Sequence, residues 1–390
     1  MKKIKILIII IFSFLIFCNY SLKNNGLYNF QYYEDDKTLI SNIQTYYDGL
    51  VYLKNKNKII KIFPNSNLEF SRSDDYILNE GIILIYDDNF RSKRLCEKSN
   101  VEIKIFLDNQ IGKAQFYRLS LSSFLKNLNF DIKIDYITGE DKKTIKTELH
   151  YISSDLNYDN YGFFIPLNLF WEIEKYSVNI NIYKFKNLVG KIVTSNIVYP
   201  KKWVESEQVI SFNKSKSYEI LKFDRERYEK EKEIRNKIWS ENNSYKYFLS
   251  GFIYPVNNIQ YITSEFGSIR IQKYHNGKIF SRHIHDGMDI ANLKGTQIYA
   301  AADGIVRYAQ KSEIYGNMVI IEHGFSLFTD YSHLDQIYVE PDQFVSKGDV
   351  IGIVGSTGWA TGPHLHWGAR IYGIPVDPRS FFSIEDIVNL

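Results

Sequence analysis

The chain has 390 residues, 44% of them apolar, 24% charged and 16% aromatic, which suits two or three globular domains and excludes a disordered scaffold. Its net charge of +3 matches the three lysines Lys2, Lys3 and Lys5 at the N-terminus, so no basic field remains to hold nucleic acid. Two cysteines, Cys18 and Cys96, exclude a disulfide framework and a multi-thiolate metal site.

Met1-Lys-Lys-Ile-Lys is followed by an apolar run from Ile6 to Phe17, broken only by Ser13. The run is twelve residues long, whereas a bilayer-spanning helix needs about twenty. Residues 1–23 therefore read as an export signal or anchor segment, and the protein is expected in the periplasm or cell envelope. Leu15-Ile16-Phe17-Cys18 resembles a lipobox. Phe17 stands where that pattern wants a small residue, so N-terminal membrane anchoring through a lipid on Cys18 is the lesser reading. Once the segment is cleaved, Cys96 has no intrachain partner.

Residues 24–75 form a connector, with a candidate hairpin in Leu50–Leu53 and Ile59–Phe63 around Lys54-Asn-Lys-Asn. Within 76–200, from about Gly81 to Pro200, apolar and polar residues alternate, as in Val101-Glu-Ile-Lys-Ile-Phe-Leu107, Phe130-Asp-Ile-Lys-Ile-Asp-Tyr136 and Val178-Asn-Ile-Asn-Ile182. Short alternating runs punctuated by turn residues predict an Ig-like β-sandwich. Residues 201–248 hold a charged linker helix: Tyr218 to Tyr247 contains neither Gly nor Pro, and Asp224–Arg235 mixes charges at i,i+4 spacing. Its apolar positions, Ile220, Leu221, Tyr228, Ile234, Ile238 and Trp239, predict one loosely packed face. Fifteen of the 22 glycines fall in the last 140 residues. Residues 249–390 therefore read as a compact antiparallel β domain with tight turns.

Seven of the eight histidines lie between 275 and 366, where an even spread would put roughly two, so the clustering marks a site. His285-Asp-Gly-Met-Asp289 sets an imidazole and a carboxylate four residues apart. His364-Leu-His366 puts two imidazoles on one face of a strand, and Tyr331-Ser-His333-Leu adds a third. Neutral imidazole and carboxylate suit Zn²⁺, and a three-ligand set leaves a position open for water. His323 and His283 complete no ligand spacing and read as structural; His150 and His275 take no role. Gly352-Ile-Val-Gly-Ser-Thr-Gly358 lacks the terminal Gly-Lys-Ser/Thr of a phosphate-binding loop, and no His-Glu-x-x-His occurs.

Residues from about Phe252 to Phe381 resemble the lysostaphin/LytM-type zinc endopeptidases, bacterial enzymes that cut peptide cross-links of peptidoglycan. Ser264-Glu-Phe-Gly-Ser-Ile-Arg270, His285–Asp289, Ala301–Val306, Gly316–Gly324, Tyr331–Leu334, Lys347–Gly352 and Thr361–Gly368 carry the resemblance. It implies that His285, Asp289 and His366 bind Zn²⁺, and that His333 and His364 are the two catalytic histidines that do not ligate. One of those would take the proton of water and the other would stabilise the oxyanion. None of the five is replaced, which counts against the activator-only branch of the family. The alternative class is a non-catalytic cell-envelope protein that binds peptidoglycan or activates an amidase. A carbohydrate hydrolase would need an acid pair, and none is identifiable.

Overall fold

The computed structural model describes residues 112–122, 128–200, 224–273 and 279–384, apart from positions 155, 157, 185, 258, 260 and 383. Between 21 and 106, and at Glu205–Val209, it describes strand backbone. The expected export segment around residues 6–17, with Cys18, Cys96 and His275, lies outside the described residues. Leu50–Asn55 and Lys58–Ile62 pair antiparallel, as the hairpin pattern predicts. The described chain is mainly β. No helix among the described residues is long and apolar enough to cross a membrane.

The chain divides into two compact units, the first comprising Met1–Lys104, Arg118–Phe163 and Glu172–Tyr199. Within it Leu128–Thr138, Lys175–Lys184 and Asn187–Ile197 pair antiparallel, with Ile132 opposite Ile180 and Ile134 opposite Val178. Ile132, Ile134, Tyr136, Val178 and Ile180 are buried, and Lys133 between them is half-buried. Period-two alternation thus becomes one buried face, where each aliphatic side chain contributes roughly 1.5–3 kcal/mol.

The second unit comprises Ile105–Tyr117, Phe164–Trp171 and Pro200–Leu390. Its main sheet runs in the order Tyr261–Ser264, Gly287–Ala291, His364–Ile371, Leu327–Ile337, Gly316–Gly324 and Gly304–Ser312, all antiparallel. Phe116, Phe164, Phe248 and Phe325 pack ring against ring, with centroids 4.9–6.1 Å apart.

Among the described residues of this unit there is one α-helix, Arg225–Trp239. The Asp224 carboxylate caps it by accepting from the Arg227 N–H at 3.0 Å. Residues 218–223 of the expected helix lie outside the described residues, and the C-terminal end comes at Ser240, ahead of Glu241-Asn-Asn. The face it buries differs from the expected apolar seam. Ile234 is exposed, while Glu231, Arg235 and Trp239 are buried. Glu231 accepts from Ser312 Oγ at 2.8 Å and from the Glu313 N–H at 2.9 Å, and Arg235 donates to Ser312 Oγ at 3.1 Å. The helix docks through buried polar side chains that bond Ser312 and Glu313, which periodicity of apolar residues cannot signal.

Candidate active site

Strand pairing brings the chemistry together. Asp289 lies opposite His366, and Ala291 opposite His364, across the Gly287–Ala291 and His364–Ile371 strands. Directly opposed residues project from the same face, so Asp289, His364 and His366 share one surface of the sheet. His285 precedes the first strand and is tied by its backbone to Gly267 and Ser268, at 2.8 and 2.9 Å. His333 enters from the neighbouring Leu327–Ile337 strand with φ +65°. That left-handed conformation is strained for a residue with a Cβ, and the His333 N–H bond to the Tyr315 carbonyl at 2.8 Å holds it. The sheet is close-packed beneath the site: a Cβ on Gly287 would lie 2.6 Å from the His366 ring.

His285 Nε2, His366 Nδ1 and Asp289 Oδ1 converge at 3.0–3.1 Å from one another, and all three residues are buried. His285 Nδ1 faces the Glu265 carbonyl at 3.1 Å, and a carbonyl can only accept, so Nδ1 carries the proton and Nε2 presents its lone pair. Three acceptor atoms therefore meet at a point where the protein supplies at most one proton, from His366. That donor set fits a cation. Arg270 donates to Asp289 Oδ2, which leaves Oδ1 as the oxygen on offer. Burial alone would raise the Asp289 carboxyl, but the imidazoles of His285, His366 and His364 hold it well below the usual carboxylate range. Burial lowers His285, so it stays neutral. For His366 burial acts downward too, and the hydrogen bond and charge of Asp289, with Asp286 and Asp330 behind it, outweigh burial and raise it.

His333 and His364 sit beside this group with ring centroids 4.7 Å apart. Each spends Nδ1–H on a backbone carbonyl, of Thr357 and Gly362 respectively, both at 2.9 Å. Each therefore directs an Nε2 lone pair elsewhere; that of His364 lies 3.7 Å from Asp289 Oδ2. Burial, together with the neighbouring His364 and His366, keeps His333 well below the ordinary imidazole value, so it is neutral at pH 7. The group lies in an open cleft of about 780 Å³ whose walls include Arg282, His283, Tyr315 and Trp359.

Residues 283–378 match the family model described as Peptidase family M23. The chain carries an M23 peptidase domain. All five residues singled out in the sequence fall inside the matched segment. Over 97 residues the chain is 45% identical to the DD-carboxypeptidase/endopeptidase Mpg of Neisseria meningitidis serogroup B, covering 25% of this chain and 22% of Mpg. It is 37% identical over 126 residues to the peptidoglycan DD-endopeptidase ShyA of Vibrio cholerae, covering 32% of this chain and 28% of ShyA. The match thus spans about a quarter of the length of these relatives. An uncharacterized metalloprotease of Buchnera aphidicola is 27% identical over 375 residues, covering 87% of this chain and 93% of that protein.

The surroundings of the site also contain polar groups whose part the sequence did not reveal. Arg270 and Ser264 belong to a motif block that carried the resemblance but no role. Arg270 bonds Asp289 and also Ser264 Oγ, which lies 3.2 Å from His285 Nδ1. The carbonyls of Glu265, Thr357 and Gly362 fix three ring orientations and leave no trace in residue type. His323 lies in the same sheet and is fully buried, apart from the His285, Asp289 and His366 group. His283 lines the cleft.

Proposed function

We propose that the protein is a zinc-dependent endopeptidase that hydrolyses peptide cross-links of bacterial peptidoglycan. One observation carries this reading: three acceptor atoms converge at 3.0–3.1 Å, flanked by two imidazoles whose Nε2 atoms are left over. The names of Mpg and ShyA support the substrate class.

In this reading His285, Asp289 and His366 hold the ion, while His333 and His364 handle protons. When bound, zinc supplies Lewis acidity that acidifies water and polarises a carbonyl. One free Nε2 takes a proton from the water attacking the scissile carbonyl and delivers it to the amine nitrogen as the C–N bond breaks. The other ring faces the developing oxyanion. Their Nδ1–H bonds to backbone carbonyls hold both rings in position throughout.

The apolar run in residues 1–23 and a wall substrate support export to the periplasm or cell envelope, with a lipid on Cys18 the lesser route to membrane anchoring. The chain is then organised as a connector at 24–75, an Ig-like sandwich at 76–200 that positions or shields the site, a helical linker at 201–248 and the peptidase at 249–390.

Purified zinc-loaded protein should convert cross-linked muropeptide dimers into monomers with the gain of one water, read by mass spectrometry. Chelation should stop the reaction and zinc restore it. A folded, zinc-loaded protein that leaves the dimers intact overturns the reading in favour of a wall-binding or amidase-activating role. Protease digestion of residues 249–390 in spheroplasts tests export separately.

A further inference from the structure

We propose that Asp330 is a positioning residue for His366: its carboxyl group, facing Nε2 of that imidazole at 3.9 Å, accepts the Nε2–H when the site is loaded and so aims the Nδ1 lone pair at the metal-binding group. The inference rests on the zinc reading above and goes beyond it by assigning a role to a residue outside the five.

The four site histidines are not oriented in the same way. His285, His333 and His364 each place Nδ1–H on a backbone carbonyl, of Glu265, Thr357 and Gly362, and turn Nε2 toward the site. His366 is reversed: its Nδ1 meets Asp289 Oδ1 at 3.0 Å. For Nδ1 to serve as a ligand its lone pair must be free, and the proton must then sit on Nε2. That nitrogen is buried without a hydrogen-bond partner. The ion-pair partner facing it is Asp330 Oδ2, at 3.9 Å.

The fold makes room for that carboxyl group. Asp330 lies opposite Gly368, and Ser332 opposite His366, across adjacent strands. A Cβ on Gly368 would stand 2.5 Å from Asp330 Oδ2 and 2.8 Å from Oδ1, so the carboxyl occupies the space a side chain would take. Glycine in a strand interior marks such a close approach. Asp330 is 2% exposed. Its Oδ1 is unpartnered and lies 3.6 Å from the equally unpartnered Nε of Arg370. Arg370 is held from its other sides by Asp286 and by the Trp239 ring, 4.1 Å from its guanidinium carbon. Two donors, His366 Nε2 and Arg370 Nε, thus flank one buried carboxyl group, each beyond bonding distance and none otherwise satisfied. Buried groups of this kind are rare, and they cluster where function holds them.

The test uses the full-length protein and the variants Asp330→Ala, Asp330→Asn and Gly368→Ala. Readouts are zinc affinity by chelator competition, the visible spectrum of the cobalt(II)-substituted protein, and ring ¹⁵N shifts of His366 in the zinc-loaded wild type. Asp330→Ala should weaken zinc binding by about 10–100-fold and alter the cobalt spectrum. Gly368→Ala, which displaces the carboxyl without removing it, should do the same. Asp330→Asn keeps an acceptor oxygen and should stay closer to wild type than either. Circular dichroism shows which variants fold; if Asp330→Ala does not, Gly368→Ala and the wild-type shifts decide. The proposal is overturned if a folded Asp330→Ala or Gly368→Ala binds zinc as tightly as wild type with an unchanged cobalt spectrum. Protonation of His366 at Nδ1 in the zinc-loaded wild type also overturns it. A wild type that binds no zinc is a different result, because then the zinc reading fails and this inference falls with it.

Discussion

Two ends of the M23 domain each bury a histidine on the same sheet and treat it in opposite ways. At the closed end His323 is saturated. Its Nδ1–H goes to the Asp303 carbonyl at 2.7 Å, and its Nε2 bonds Thr329 Oγ1 at 2.7 Å. Thr329 in turn bonds the Tyr331 hydroxyl at 3.0 Å, and that hydroxyl accepts from the Ala301 N–H. At the cleft His333 and His364 make the same first bond to a carbonyl and stop there. The difference teaches what separates a structural imidazole from a reactive one. The structural ring is held through both nitrogens, whereas a ring that serves in the proposed proton transfer is held through one and keeps the other for substrate.

The largest effect expected belongs to the converging group. His366→Ala or Asp289→Ala removes one of three acceptors, so zinc stoichiometry should fall toward zero. Turnover should then drop by more than about 10⁴-fold, beyond what losing an acid–base group costs. Metal analysis alongside muropeptide turnover checks this, and retained zinc in either variant would break the assignment.

Next come the half-bonded rings. His333→Ala and His364→Ala should keep near-normal zinc and lose roughly 10²–10⁴ in rate. If His364→Ala sheds metal as readily as His366→Ala, the boundary between ligand and proton carrier is in the wrong place.

The closed end should respond in stability alone. Phe248 packs on Phe116, Phe164 and Phe325, and Phe252 lies edge-on to the His323 ring at 5.1 Å. Phe248→Ala should cost about 3–5 kcal/mol in denaturant unfolding and leave zinc content and the rate per folded molecule unchanged. A fall in rate without a fall in stability would mean that the aromatic end reaches the chemistry.

Local spacing made some of this legible and long-range register made the rest opaque. His285-x-x-x-Asp289 and His364-x-His366 are short-range patterns, and strand pairing brings them together as their spacing suggests. The alternation of Phe130–Tyr136 likewise became a strand with one buried face. The three orienting carbonyls could not be read, because every residue has one. Asp330 could not be read because its meaning depends on standing opposite Gly368. The helix misled for a related reason: buried Glu231 and Arg235 look like solvent-facing charges until Ser312 is placed beside them.

The smallest effect is the sharpest test of the comparison. Burial pulls His323 down to about 4, against the opposing pull of the Asp303 carbonyl, from an ordinary value of 6.5. Above pH 6.5 the ring is neutral in folded and unfolded chains alike, and stability does not depend on it. Between 6.5 and about 4 the unfolded chain takes up a proton that the folded chain refuses, so stability falls as pH falls, by up to about 3 kcal/mol. Below 4 the folded ring also protonates and the loss levels off. His323→Gln removes this dependence while leaving turnover at pH 7.5 unchanged, since the residue stands outside the cleft. Urea unfolding of the zinc-free proteins at several pH values between 7.5 and 4.5 measures the difference; removing zinc matters because metal binding is itself pH-dependent. The other buried histidines titrate in both proteins and cancel. The wild-type curve should be the steeper one, and parallel curves would mean that the closed end does not exclude the proton as its saturated bonding requires.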